Sequence, residues 1–118
     1  MGLNMENLDP ELKNKIMNLQ NLQRTLEFLS QQNIQIQSSL RETEIAIEEL
    51  EKADPAAVVY KSIGGIMVKS EVPKLLDEKK SLKVTLEMRD KTLKQKIDRS
   101  KGQIETMSKS LQADLQPK

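Results

Sequence analysis

The chain contains neither cysteine nor histidine. It therefore has no disulfide staple, no thiolate ligand or nucleophile, and no imidazole to activate a hydroxyl in a nucleophilic triad. Tryptophan is absent too, and the aromatics amount to one Phe and one Tyr. That is thin material for a globular core, where aromatic rings supply much of the buried area. No apolar run approaches the roughly 20 residues that span a bilayer. Met1 to Pro10 lacks a basic region followed by an apolar stretch, so it does not read as a secretory signal. Nineteen basic and eighteen acidic residues leave a net charge of +1, which offers no bulk attraction to nucleic acid or anionic lipid. Gly64-Gly65 has no phosphate-binding loop around it, since no Lys-Ser/Thr follows at the required spacing. Neighbouring acids such as Glu48-Glu49 and Asp77-Glu78 point in different directions on a helix and make poor carboxylate dyads. These absences describe a soluble, cytoplasmic chain with no catalytic residues, no metal and no cofactor.

What the chain does have is periodicity. Leu8, Leu12, Lys15, Leu19, Leu22, Leu26, Leu29, Asn33, Ile36, Leu40, Thr43, Ile47 and Leu50 follow each other in steps of three and four. Ten of these thirteen are apolar, the rhythm of a coiled-coil seam. Asp9-Pro10 opens this helix with a capping residue and a proline suited to the first turn, and Asp54-Pro55 closes it. A second arm carries Leu75, Lys79, Leu82, Leu86, Arg89, Leu93, Ile97, Ser100, Ile104, Met107 and Leu111, with eight of eleven apolar. Its consecutive four-residue steps at Arg89, Leu93 and Ile97 predict a stutter, and Gly102 weakens its interior. The arms run over about 8–53 and 74–115, each roughly 60 Å long at ~1.5 Å per residue. Residues 8–50 carry four basic and seven acidic side chains, whereas 74–115 carry eleven and seven. Opposite net signs favour arm against arm, antiparallel, with Leu50 near Leu75, Leu40 near Leu86, Leu29 near Ile97 and Leu19 near Met107. Asn33 falls opposite Leu93, either fixing register or simply reached by water, while Lys15 and Arg89 are expected to snorkel. The Lys79-Lys80-Lys83 cluster raises nucleic-acid binding, but without interleaved aromatics a solvated helix face is the better reading.

Between the arms, residues 54–73 read as one β-hairpin. Val58-Val59-Tyr60-Lys61-Ser62-Ile63 and Ile66-Met67-Val68-Lys69-Ser70 flank a Gly-Gly turn. Val59, Ile63, Ile66 and Val68 should share one face and Val58, Tyr60 and Met67 the other, so both faces are apolar. A lone hairpin is marginal in water and this chain offers it no further strand, so it must pair with hairpins of other chains. At the opposite end the termini meet. Met1, Leu3, Met5, Ile16 and Met17, with Met107, Leu111 and Leu115, exceed what the seam uses, and methionine suits surfaces that accept many shapes.

The order coiled coil, hairpin, coiled coil, together with Val59-Tyr60-Lys61-Ser62-Ile63-Gly64-Gly65-Ile66-Met67-Val68-Lys69, resembles the β class of prefoldin subunits, archaeal type. The likeness covers nearly the whole chain, which would form one prefoldin-like domain over 1–118, and its specificity lies in the hairpin and the matched arms. The resemblance implies a mainly α fold: a long antiparallel two-helix coiled coil with one central hairpin that joins an intersubunit β-barrel. It implies a hexamer of two α-class and four β-class subunits that holds unfolded proteins without ATP and delivers them to a group II chaperonin. Oligomerisation would then fall to Val58, Val59, Tyr60, Ile63, Gly64, Gly65, Ile66, Met67 and Val68. Client binding would fall to Leu3, Met5, Leu8, Leu12, Ile16, Met107, Leu111 and Leu115. Neither nucleic acid nor membrane is an expected partner. The rival reading is a purely structural coiled-coil oligomer or filament-forming tether.

Overall fold

A computed structural model describes residues 9–115. Its elements are α1 (Pro10–Lys52), β1 (Val58–Ile63), β2 (Ile66–Glu71) and α2 (Val72–Leu115), a mainly α chain with one antiparallel hairpin. The ends of α1 are set as local chemistry dictates. Asp9 Oδ1 accepts from the Glu11 N–H at 3.1 Å, satisfying one of the orphan donors of the first turn. At the other end Asp54 Oδ1 accepts from the Ala56 N–H at 2.9 Å, and its carbonyl accepts from the Ala57 N–H at 2.8 Å. With Pro55 at the second position, this is a turn that leads the chain into β1. Gly64 and Gly65 take φ of 53° and 86°, the paired left-handed geometry of a tight hairpin turn. Strand β2 gives way directly to α2 at Val72, so Val72 and Pro73 belong to the helix and not, as expected, to the hairpin. Proline in a first turn costs nothing there, because the N–H it lacks would have no intrahelical partner.

Each helix contributes to two compact units, one of residues 9–32 with 93–115 and one of Asn33–Thr92. In the first, Lys15 of α1 meets Ser110 and Asp114 of α2. In the second, Asn33 Nδ2 donates to Asp90 Oδ1 at 2.7 Å, and the carboxylates of Glu44 and Glu51 face Lys83 at 4.0 Å and Lys80 at 3.7 Å. Rising numbers on α1 meet falling numbers on α2, as antiparallel packing requires, and Leu50 and Leu75 line one cavity. The expected seam is the buried stripe. From Leu12 to Leu50 every predicted α1 position is half-buried or buried. On α2 the departures are Leu82 and Arg89. Arg89 is exposed and its neighbour Asp90 turns inward, so the predicted Asn33–Leu93 level is an Asn33–Asp90 hydrogen bond instead. Buried Thr43 spends its hydroxyl on the Ser39 carbonyl at 2.7 Å, one turn back.

Gly102 lies inside α2 and, its own helix backbone aside, no described residue comes within 4 Å of where a Cβ would stand. Gly102→Ala is therefore expected to stabilise the chain by about 1 kcal/mol, read as a higher urea midpoint. Asn33→Ala should destabilise it by roughly 1–2 kcal/mol, since a half-buried carboxylate loses a charge-assisted hydrogen bond. A neutral Asn33→Ala would show that the bond does not hold the helices.

Candidate functional site

Alternation along the paired strands sorts the hairpin side chains onto two faces. Val59, Lys61, Ile63, Ile66, Val68 and Ser70 share one; Val58, Tyr60, Ser62, Met67, Lys69 and Glu71 share the other, as the strand register fixes. On the first face Val59, Lys61, Val68 and Ser70 are half-buried, and Lys61 Nζ lies 3.4 Å from the Glu78 carboxylate of α2. A cavity of about 760 Å³ opens between the hairpin and the helices, lined by Val59 and Lys61 of this face, Val58, Tyr60 and Met67 of the other, and Leu50, Leu75 and Leu82. Leu82, a seam position, lines it and stays exposed. The second face is exposed throughout, Met67 by 66 %, and Ile66 beside the turn is 63 % exposed. Among the described residues the sheet has two strands only, so both outer edges present main-chain donors and acceptors without a ladder. The hairpin residues expected at an assembly surface thus lie together at one end of the second unit, with Gly64 and Gly65 as their turn.

The first unit holds the expected client surface in part. Leu3, Met5 and Leu8 lie outside the described residues. Leu12, Met107 and Leu111 are half-buried and Leu115 is exposed. Ile16 departs from expectation: it is only 8 % exposed, an interior residue of this unit and not a surface one. Its neighbour Met17 is the exposed apolar side chain at that level. Lys15 does not snorkel into water alone. Its ammonium donates to Ser110 Oγ at 3.2 Å and pairs with the Asp114 carboxylate. That hydrogen bond to Asp114, with the attraction of the Asp114 and Glu11 charges, raises the Lys15 pKa above its ordinary 10.5, against a smaller opposing effect of desolvation.

Elsewhere the charges answer one another. Lys80 and Lys83 face α1 carboxylates, and Lys83 also pairs with Glu87 at 3.9 Å. The lysine cluster is thereby partly neutralised and presents no bare cationic strip. No group of carboxylates among the described residues could hold a metal ion, and none of their helices is long and apolar enough to cross a membrane. Seam logic passed over Phe28 in the first unit and Ile34, Ile45, Val84 and Met88 in the second, all exposed. Their signal was an apolar residue off the three-four rhythm.

This geometry defines a coiled-coil protein with a hairpin built for association. A family model for prefoldin subunits matches residues 13–118, and the chain belongs to the prefoldin family, a family of chaperone subunits. The prefoldin β subunit of Archaeoglobus fulgidus is 35% identical over 96% of this chain and 97% of its own length. That of Pyrococcus furiosus is 33% identical over the same shares. The crystal structure of the prefoldin β subunit from Thermococcus strain KS-1 superposes with a TM-score of 0.83 at 28% identity, covering 95% of this chain and 98% of that one.

A lysine whose folded pKa is raised stabilises the fold fully below its unfolded value and loses that contribution as pH climbs through the folded one. The Lys15 contribution should therefore be constant from neutrality to about pH 10 and vanish above the raised pKa. Thermal midpoints of the wild type and Asp114→Asn, followed from pH 8 upward, should converge in that alkaline window. A difference that persists unchanged beyond it would remove the Lys15–Asp114 pair as its source.

Proposed function

We propose that the chain is a β-class subunit of a hexamer with two α-class and four β-class members, acting in the cytoplasm as an ATP-independent holder of unfolded proteins. In this reading residues 1–118 work as one domain, and held clients pass to a group II chaperonin. The observation that carries it is the exposure of Val58, Tyr60 and Met67, large apolar side chains on one face of a sheet of two strands. A sheet this small does not persist in water uncovered, and strands from neighbouring subunits would close it into a barrel. Val59, Ile63, Ile66 and Val68 would then line the barrel or its junction with the helices. The relatives support the assignment, since each is itself named as a subunit.

Clients would be held by Leu12, Met107, Leu111 and Leu115, together with Leu3, Met5 and Leu8. Met17 joins them because it is exposed, and Ile16 would contribute only where the two helices part. Each apolar contact is weak, and several subunits gripping one chain would supply affinity by avidity. No nucleotide is needed for such a grip.

Two variants separate assembly from holding. Ile66→Asp should convert the hexamer to smaller species in light scattering, because each buried, unpaired carboxylate costs several kcal/mol. Full-size assembly of that variant would refute the barrel. Removing residues before Glu11 and after Lys109 should leave hexamer size unchanged while weakening suppression of aggregation of an unfolded client, since Leu12, Met17 and Met107 remain; undiminished suppression would take the removed residues out of the holding site.

A further inference from the structure

Gly102 is a puzzle that the seam does not solve. It weakens α2, yet among the described residues nothing occupies the space a side chain would fill. It stands instead in a groove of about 970 Å³ within the first unit, with Leu22 and Met107 beside it. Around this apolar floor stand the amides of Asn18, Asn21 and Gln103 and the hydroxyls of Thr25 and Thr106. Such a rim matches the unpaired N–H and C=O groups of an extended backbone, which an apolar wall alone would leave unsatisfied. The two charged residues of the lining, Lys15 and Arg99, are both basic, and no acid lines it. Lys15 already has Asp114, so Arg99 gives the groove its sign.

We propose that this groove is a binding site for an extended polypeptide segment, apolar at its centre and neutral or acidic at its flanks. One apolar side chain enters the space over Gly102, the amide and hydroxyl rim takes the segment's backbone, and Arg99 selects against basic flanks. The inference rests on the holding function above and deepens it: it gives client segments a seat away from the chain ends, and a charge preference.

The test uses the chain co-assembled with an α-class subunit and two labelled peptides of alternating leucine and serine, one flanked by glutamates and one by lysines. Fluorescence anisotropy should show tighter binding of the glutamate-flanked peptide, a preference that Arg99→Glu reverses. Gly102→Leu, which fills the space, should weaken that peptide about tenfold, the loss expected when one apolar side chain is expelled. Gly102→Ala raises helix stability and serves as the folding control, and circular dichroism verifies that both variants are folded. A photo-crosslinking side chain in place of Gln103 should capture the peptide, and the same group in place of Met88 should not. Unchanged affinity in folded Gly102→Leu, or capture at Met88 alone, overturns the groove while wild-type suppression of aggregation keeps the holding function standing. A wild type that neither suppresses aggregation nor binds either peptide overturns both.

Discussion

A two-stranded sheet with apolar residues on both sides cannot hide itself, and the rest of the molecule is arranged around that fact. One face gains partial cover from the chain's own helices, through Val59, Val68 and the Lys61–Glu78 pair. The other, with Val58, Tyr60 and Met67, stays more than half exposed. The helices cannot compensate. Their buried apolar residues are Ile16, Val72, Leu75 and Leu86, and no large side chain among the described residues is completely enclosed. Two helices have a seam rather than an interior, since each seam residue touches its partner on one side only. Burial that a globular domain finds within one chain has to come here from neighbouring subunits.

The parts of this fold that were legible in the sequence are those governed by a repeat. The α1 seam was readable because ten apolar residues in steps of three and four leave no other phase for the helix. The hairpin faces were readable because glycines at the turn fix the register, and register fixes every side chain's side. Where the repeat carries polar residues, phase is lost. Arg89 and Asp90 are adjacent, both charged, and about 100° apart around the helix. Periodicity cannot choose between them; the amide of Asn33 chooses Asp90, whose short carboxylate reaches it at 2.7 Å. Ile16 failed for the opposite reason. A stripe wider than the strict seam admits a flanking apolar residue, and one chain's sequence does not say how wide the stripe is. The expected assembly residues lie together on the hairpin, whereas Leu3, Met5 and Leu8 fall outside the described residues.

Charge organises the surface without holding it together. The excess of acids on α1 and of bases on α2 appears as Glu44–Lys83 and Glu51–Lys80, contacts at 4.0 and 3.7 Å between exposed groups. Exposed pairs at such distances contribute little to stability. Their effect is selective: the same residues placed α1 against α1 would set carboxylate against carboxylate. They also occupy two lysines of the cluster that first suggested a nucleic-acid surface.

The polar residues in the seam then acquire a purpose that leucines could not serve. A leucine seam tolerates a slip of one heptad, about 10.5 Å, because apolar meets apolar in either register. The Asn33–Asp90 bond and the Lys15 contacts with Ser110 and Asp114 exist in one register only, and a slip would break them. Register matters because the hairpin has no slack. A single turn after Lys52 leads into β1, and β2 runs into α2 without a linker. Any helix slip would have to be absorbed by strands whose pairing is fixed by two glycines, so polar contacts that weaken the seam locally preserve the geometry on which the hairpin depends.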